Sequence, residues 1–350
     1  MSDVTELITE NVSRIFGDLC TTEIVDSGWD ANLWNVLEEN GLTHLSVSET
    51  SGGSGGHLRD AASLLLVAGR YAVPLPLSET ILAASLLASI GLPIPQGPLT
   101  VCAGANISFH EADDGWRLEG CADRVPWASI ANHIVVVGKG VAGEMLGLVR
   151  RHAVQIEMGH NIAREPRDRL ILNTTLPSGF VAHCPAGTMW DLQLRGALLR
   201  VALIAGASER ALELTLSYTR ERHQFGQSIG HFQTVQHQVV EMAGEVAALR
   251  TSSDAAVEVC AVGPLNSVSA LIAVASAKAQ SSVTANVVSR IAHQLHGAIG
   301  FTQEHDLRLS TTRLWAWRDE WGNEATWWSE IGRFLLNGHE DLWSVIAAIE

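Results

Sequence analysis

Arg222-His-Gln-Phe-Gly226 gathers a guanidinium, an amide and an aromatic ring within five residues. A guanidinium fork matches paired phosphate oxygens. Without further context, the same residues also read as a helix end with a glycine terminator and a solvated arginine. A second segment, Gln294-Leu-His-Gly297, sets an amide ahead of a glycine, which has no Cβ to hold a phosphate off the backbone. Near the C-terminus, Asp319, Glu320 and Glu324 offer carboxylates for proton transfer. Other constellations point to less. His293 and His296 have the spacing of a metal-binding pair, but no cluster of carboxylates or cysteines accompanies them, so they read as a helix-surface pair. Glu157 and His160 have the spacing of a di-iron bundle motif but fall in a β-prone region. The Gly52–Gly56 run lacks the Gly-x-Gly-x-x-Gly pattern that follows a strand in dinucleotide sites.

Three regions must position these groups. Up to about residue 97 the apolar spacing is helical: Leu7, Ile8, Val12, Ile15 and Phe16, then Leu33, Val36 and Leu37. The Gly-rich turn Ser48–Gly56 follows, then a helix over Leu58–Val67 and a third over Leu82–Leu92. Residues 98–186 carry short β-prone runs between polar turns, which predicts a small antiparallel β-domain. From 187 to 350 long helical segments return. Phe232, Val235, Val239, Met242, Val246 and Leu249 form one apolar stripe, and Pro264 opens an Ala/Val-rich helix reaching about residue 296. Five tryptophans between Trp315 and Trp328 read as a buried contact between subunits.

The chain has 350 residues, 47% of them hydrophobic, enough for two or three domains. A net charge of −15 argues against nucleic acid or an anionic membrane as partner. Five scattered cysteines with no Cys-x-x-Cys pair read as reduced thiols. Neither a signal peptide nor a membrane span is expected, and the expected location is the cytoplasm.

Over essentially its whole length the chain resembles the acyl-CoA dehydrogenase family. Tyr218–His237 is similar to the family's Arg-x-x-Phe-Gly…Phe-Gln segment, and Gln294–Leu307 to its Gln-x-x-Gly-Gly-x-Gly-Phe segment, with Ala298 at the second glycine. The resemblance implies a mostly α, three-domain fold: an N-terminal helical domain, a middle β-domain and a C-terminal four-helix bundle. It implies FAD as cofactor, held across a subunit interface. Arg222 would meet the pyrophosphate, Gln224 the cofactor's backbone or adenosine part, and Phe225 the adenosine. Phe232, Gln233, Gln294 and Gly297 would complete the contact.

Departures from the family pattern are as informative. The loop that holds a subunit's own flavin, usually Thr-Glu-Pro-x-x-Gly-Ser-Asp, should fall near Val101–Phe109 and is missing. Where Trp-Ile-Thr usually packs on the isoalloxazine, the chain reads Arg124-Val-Pro126, expected as a surface loop. Thioester desaturation needs a carboxylate to take the α-proton while the β-hydride goes to the flavin. The family position for it holds Trp321, with Glu320 one residue away as the nearest candidate base, and the alternative family position aligns with Gly196. The pattern resembles the shorter, degenerate subunit of bacterial heteromeric steroid-type enzymes. That resemblance implies an acyl-CoA substrate, a second dehydrogenase subunit and an electron-transfer flavoprotein as partners. A non-catalytic structural or regulatory subunit and a homo-oligomer with a relocated base are the alternatives.

Overall fold

A computed structural model describes residues 3–338 and Trp343. The chain divides into two compact units, one formed by residues 1–26, 62–73 and 197–350, the other by 27–61 and 74–196.

Five helices come first: α1 (Asp3–Leu19), α2 (Thr22–Ser27), α3 (Ala31–Glu39), α4 (Leu58–Arg70) and α5 (Leu77–Ser89). In α1, Val12 and Phe16 are fully buried, whereas Leu7 on the same apolar spacing is exposed. Asp30 caps α3 by accepting from the Leu33 N–H at 2.6 Å. Helix α5 begins five residues earlier than the sequence suggests, directly after Pro76, whose fixed φ suits a helix start.

Seven strands follow: β1 (Leu99–Ala112), β2 (Gly115–Pro126), β3 (His133–Gly140), β4 (Gly143–Arg150), β5 (Gln155–Glu157), β6 (Arg167–Leu176) and β7 (Val181–His183). They form one sheet in the order β5-β6-β2-β1-β3-β4-β7. The expectation of an antiparallel sheet needs one correction: β1 and β3 run parallel, with Val101 opposite Val135. The hairpin partner of β1 is β2, so β3 must cross over to the free edge of β1 and arrives in the same direction. Ile107, Phe109, Leu118, Ile134, Val136, Leu170 and Leu172 form a closed apolar cluster at 0–2% exposure, the main stabilising term of this unit.

The C-terminal part is helical: α6 (Thr188–Glu221), a two-stranded ribbon of β8 (His223–Gln224) and β9 (Gln227–Ser228), α7 (Gln233–Val262), α8 (Val268–His296), α9 (Leu307–Trp317) and α10 (Glu324–Asn337). Met242, Val246 and Leu249 of the α7 stripe are buried, while Phe232, Val235 and Val239 at its start are half-exposed. Helix α8 starts at Val268, not at Pro264. Its cap is Ser267, whose hydroxyl accepts from the Ala270 N–H at 3.1 Å. Helices α4 and α6 touch through glycine: a Cβ on Gly206 would strike the Leu66 carbonyl, and one on Gly69 the Leu203 carbonyl. Among the described residues, no helix is long and apolar enough to cross a membrane.

Candidate functional site

The two segments singled out in the sequence lie at the ends of α6 and α8. Helix α6 stops at Glu221, and the Arg222 N–H still donates to the Tyr218 carbonyl at 2.9 Å. The chain then turns through Phe225, at φ 53°, and Gly226, at φ 84°, so that β8 pairs with β9. The Ile229 N–H closes the turn on the Arg222 carbonyl at 2.8 Å. Arg222, Gln224, Phe225 and Gln233 are all exposed, with the Phe225 ring 93% accessible. Phe232 stands edge-on to Phe225, with ring centroids 6.2 Å apart. Among the described residues the Arg222 side chain has no hydrogen-bond or ion-pair partner. A left-handed non-glycine residue carrying a fully presented aromatic ring is costly. Such a turn suits an external ring and anion better than it suits packing within the chain.

At the end of α8, Gln294 and Gly297 are exposed. Gly297 adopts φ 65°, with open space where a Cβ would be, and its N–H donates to the His293 carbonyl. A 3-10 turn over Gly297–Phe301 leads toward α9. The two segments are joined by rings: Tyr218 stacks on His296 at 4.4 Å and 21°. A partnerless guanidinium, two presented aromatic rings and an uncovered glycine backbone fit the pyrophosphate and ring system of FAD.

The His293/His296 pair corrects an expectation. Both are buried, at 8% and 4% exposure, rather than lying on the helix surface. Neither belongs to a metal-binding group among the described residues. His293 lies between Phe301 (3.9 Å) and Trp315 (5.1 Å). His296 is packed by Tyr218 and His305, and burial pushes its pKa down to about 4, with His305 and His293 adding to the shift. Residues 293–305 hold their aromatic rings at mixed spacing, so no periodicity in the sequence betrays this cluster.

Glu320 occupies a different setting. It pairs with Arg200 of α6 at 2.9 Å, at 11% and 3% side-chain exposure, and the Arg200 guanidinium lies 5.5 Å from the Trp317 ring. Lys278 of α8, fully buried, donates to the Arg318 carbonyl at 2.8 Å and the Gly322 carbonyl at 2.7 Å. Burial first, and Arg200 second, pull the Lys278 pKa down to about 7. These groups clamp the turn between α9 and α10, in which Trp321 (φ 59°) and Gly322 (φ 89°) are left-handed. Arg200 was visible in the sequence only as an interruption of an apolar run, and Lys278 as the single lysine in an Ala/Val-rich helix.

The tryptophan run divides between core and surface. Trp317 and Trp327 are core residues, at 3% and 1% exposure, with Trp327 Nε1 donating to the Trp321 carbonyl at 3.0 Å, and only Trp328 is largely exposed. Val101–Phe109 lies within β1, whose pairing with β3 shifts register between Ala103 and Ser108. Arg124-Val-Pro126 is not a surface loop but the end of β2. Arg124 lies exposed in a bulge, while Val125 and Pro126 pair with Asp168 and Arg167 of β6, and Asp168 is fully buried, accepting from the Ser129 and Gly159 N–H groups. Glu157, next to Arg169, is half-exposed on a β-strand and His160 lies beyond that strand's end, so the spacing there is incidental.

Residues 192–321 match the family described as acyl-CoA dehydrogenase, C-terminal domain. Acyl-CoA dehydrogenase IpdE2 of Mycolicibacterium smegmatis is 30% identical over 317 residues, covering 88% of this chain and 91% of that protein. The ChsE4–ChsE5 complex from Mycobacterium tuberculosis shares the fold, with a TM-score of 0.89, 23% identity, and coverage of 97% of this chain and 99% of that one. The Tcur3481–Tcur3483 steroid acyl-CoA dehydrogenase gives a TM-score of 0.86 at 25% identity, over 96% and 98% of the two chains. The chain belongs to the acyl-CoA dehydrogenase family, whose members are FAD-dependent oxidoreductases.

Proposed function

We propose that this chain is one subunit of a heteromeric FAD-dependent acyl-CoA dehydrogenase that introduces an α,β double bond into a CoA thioester, with a second dehydrogenase subunit supplying most of the flavin site and the catalytic base. The observation that carries this reading is the presented Arg222–Phe225 turn, whose guanidinium finds no partner among the described residues and whose exposed ring meets only the edge of Phe232, together with a β1 strand that occupies the place of an own-flavin loop. Arg222, Gln224 and Phe225 from one segment, and Gln294 and Gly297 from the other, bind and orient the cofactor, with Phe232 and Gln233 bordering the turn. The bound flavin accepts the β-hydride. Glu320 is held by Arg200 and Glu324 by Arg318, which leaves the half-exposed Asp319, 3.8 Å from Arg318, as the loosely held carboxylate of that turn, and the α-proton goes to a base on the partner. The Tcur3481–Tcur3483 steroid enzyme, named for two chains, supports a second dehydrogenase subunit and a bulky, steroid-like acyl group, and an α2β2 assembly is the arrangement proposed. The electrons pass on to an electron-transfer flavoprotein.

Co-expression with the product of a neighbouring dehydrogenase gene tests the reading. A yellow complex with one FAD per pair of chains, and little flavin on this chain alone, is the expected result. Stoichiometric FAD on the homogeneous single chain supports the homo-oligomer instead. A complex without flavin supports a purely structural subunit.

A further inference from the structure

Histidine is an expensive core residue. His293 Nδ1 is buried without a hydrogen-bond partner, and His296 is buried with only the Ala292 and Leu214 backbone as polar neighbours, where a phenyl ring would fill the space without that desolvation cost. What the imidazoles add is direction. His296 Nδ1 faces the Ala292 carbonyl at 2.7 Å and so must carry the hydrogen. His293 Nε2 faces Thr311 Oγ1 at 2.9 Å, and because the Thr311 hydroxyl donates to the Leu307 carbonyl, His293 is the donor there. Both ring planes are thereby set, and the stacking partners follow: Tyr218 lies on His296 at 4.4 Å, while His305 stands edge-on to His296 at 4.7 Å and to Tyr218 at 6.0 Å.

The rings are coupled to the cofactor segments through the backbone. Tyr218 accepts the Arg222 N–H, so it sits one helical turn behind the guanidinium. His296 immediately precedes Gly297, and Gly300 approaches so closely that a Cβ there would lie 3.0 Å from the His296 Cβ. We propose that the Tyr218–His296–His305 stack is a positioning device that sets the separation and angle between the Arg222 turn and the Gly297 turn, so that the two can engage one flavin together. The proposal rests on the reading of those turns as flavin-holding segments.

Its signature is communication across segments. Hydrogen exchange of the chain as purified is expected to show that Tyr218→Ala, a change in α6, speeds exchange in residues 297–303, and that His296→Ala, in α8, speeds exchange in residues 222–230. Tyr218→Phe, which keeps the stack, is expected to restore wild-type protection, whereas His296→Phe, which keeps a ring but loses the Nδ1–H that fixes its plane on the Ala292 carbonyl, is expected to restore it only in part. Where an alanine variant does not fold, Tyr218→Leu, which keeps bulk without the ring, carries the same expectation. In the complex with the partner subunit, FAD binds about tenfold more weakly to either alanine variant, the scale of one lost aromatic pair. The double variant is no worse than either single one. Loosening confined to the mutated segment overturns the proposal. So does cross-segment loosening with FAD affinity unchanged in the stack variants while Arg222→Ala weakens it. If Arg222→Ala also leaves FAD affinity unchanged, the flavin reading itself fails, independently of the exchange result.

Discussion

In the proposed assembly, Arg222 is the residue on which cofactor retention turns. Its guanidinium is exposed and without a partner in the chain, so little internal structure is lost on removing it. Arg222→Ala in the assembled complex is expected to weaken FAD binding by about ten- to a hundredfold, the roughly 1.5–3 kcal/mol of a charge-assisted contact. Arg222→Lys recovers only part, because an ammonium cannot make the paired contact. Flavin fluorescence titration of the three complexes checks both statements. Glu320 behaves in the opposite way. Its carboxylate offsets a buried Arg200, and Glu320→Gln leaves that charge uncompensated. The expected loss is in folding stability, roughly 3–5 kcal/mol on the scale of a broken buried pair, with turnover of the folded fraction retained. A thermal melt alongside kcat separates the two. A thousandfold drop in kcat with an unchanged melting temperature makes this chain the source of the base.

At the scale of elements, the turn between α9 and α10 is governed by Lys278. Its pKa falls from 10.5 in the unfolded chain to about 7 in the folded one. Between those values the unfolded chain binds a proton that the folded chain does not, so stability rises with pH across that window and is lower below about 7. Melting temperatures measured from pH 7 to 10 are expected to climb less steeply for Lys278→Met than for wild type. Equal slopes show that the amine is not held in this way. The crossing of α4 and α6 gives a second element-scale expectation. Gly206→Ala drives a methyl group into the Leu66 carbonyl, and separating two packed helices costs on the order of 1–3 kcal/mol or more. A denaturant titration showing no shift in midpoint for Gly206→Ala removes this contact from the account.

For the whole molecule the expectation is dependence on a partner. The chain alone is expected to bind FAD poorly, because β1 lacks the Thr-Glu-Pro-x-x-Gly-Ser-Asp motif and the end of β2 is committed to pairing with β6. Equilibrium dialysis of the isolated chain against FAD, compared with the co-purified complex, measures the difference. The order of helices, sheet and helices, and the Arg222 and Gln294 segments as distinct motifs, were legible in the sequence. Apolar periodicity and the Arg222 and Gln294 motifs are local signals that burial does not alter. Turn residues likewise announced the Gly-rich stretch Ser48–Gly56.

Other features depended on which distant residues meet. Parallel pairing of β1 with β3 follows from a crossover that no strand pattern records. His293 and His296 read as surface residues because helix spacing states which face they share, not what covers that face. Tyr218, Phe301, Trp315 and His305 cover it, from up to seventy-eight positions away for the Tyr218–His296 pair. Glu320 read as a free carboxylate until Arg200 arrived beside it from another helix. The sequence by itself determined element types, their order, the family and the place of the Arg222 and Gln294 segments, because each of these is written in residue type and short spacing. The tertiary structure alone decided which polar groups are spoken for, because burial and ion pairing are properties of neighbours in space.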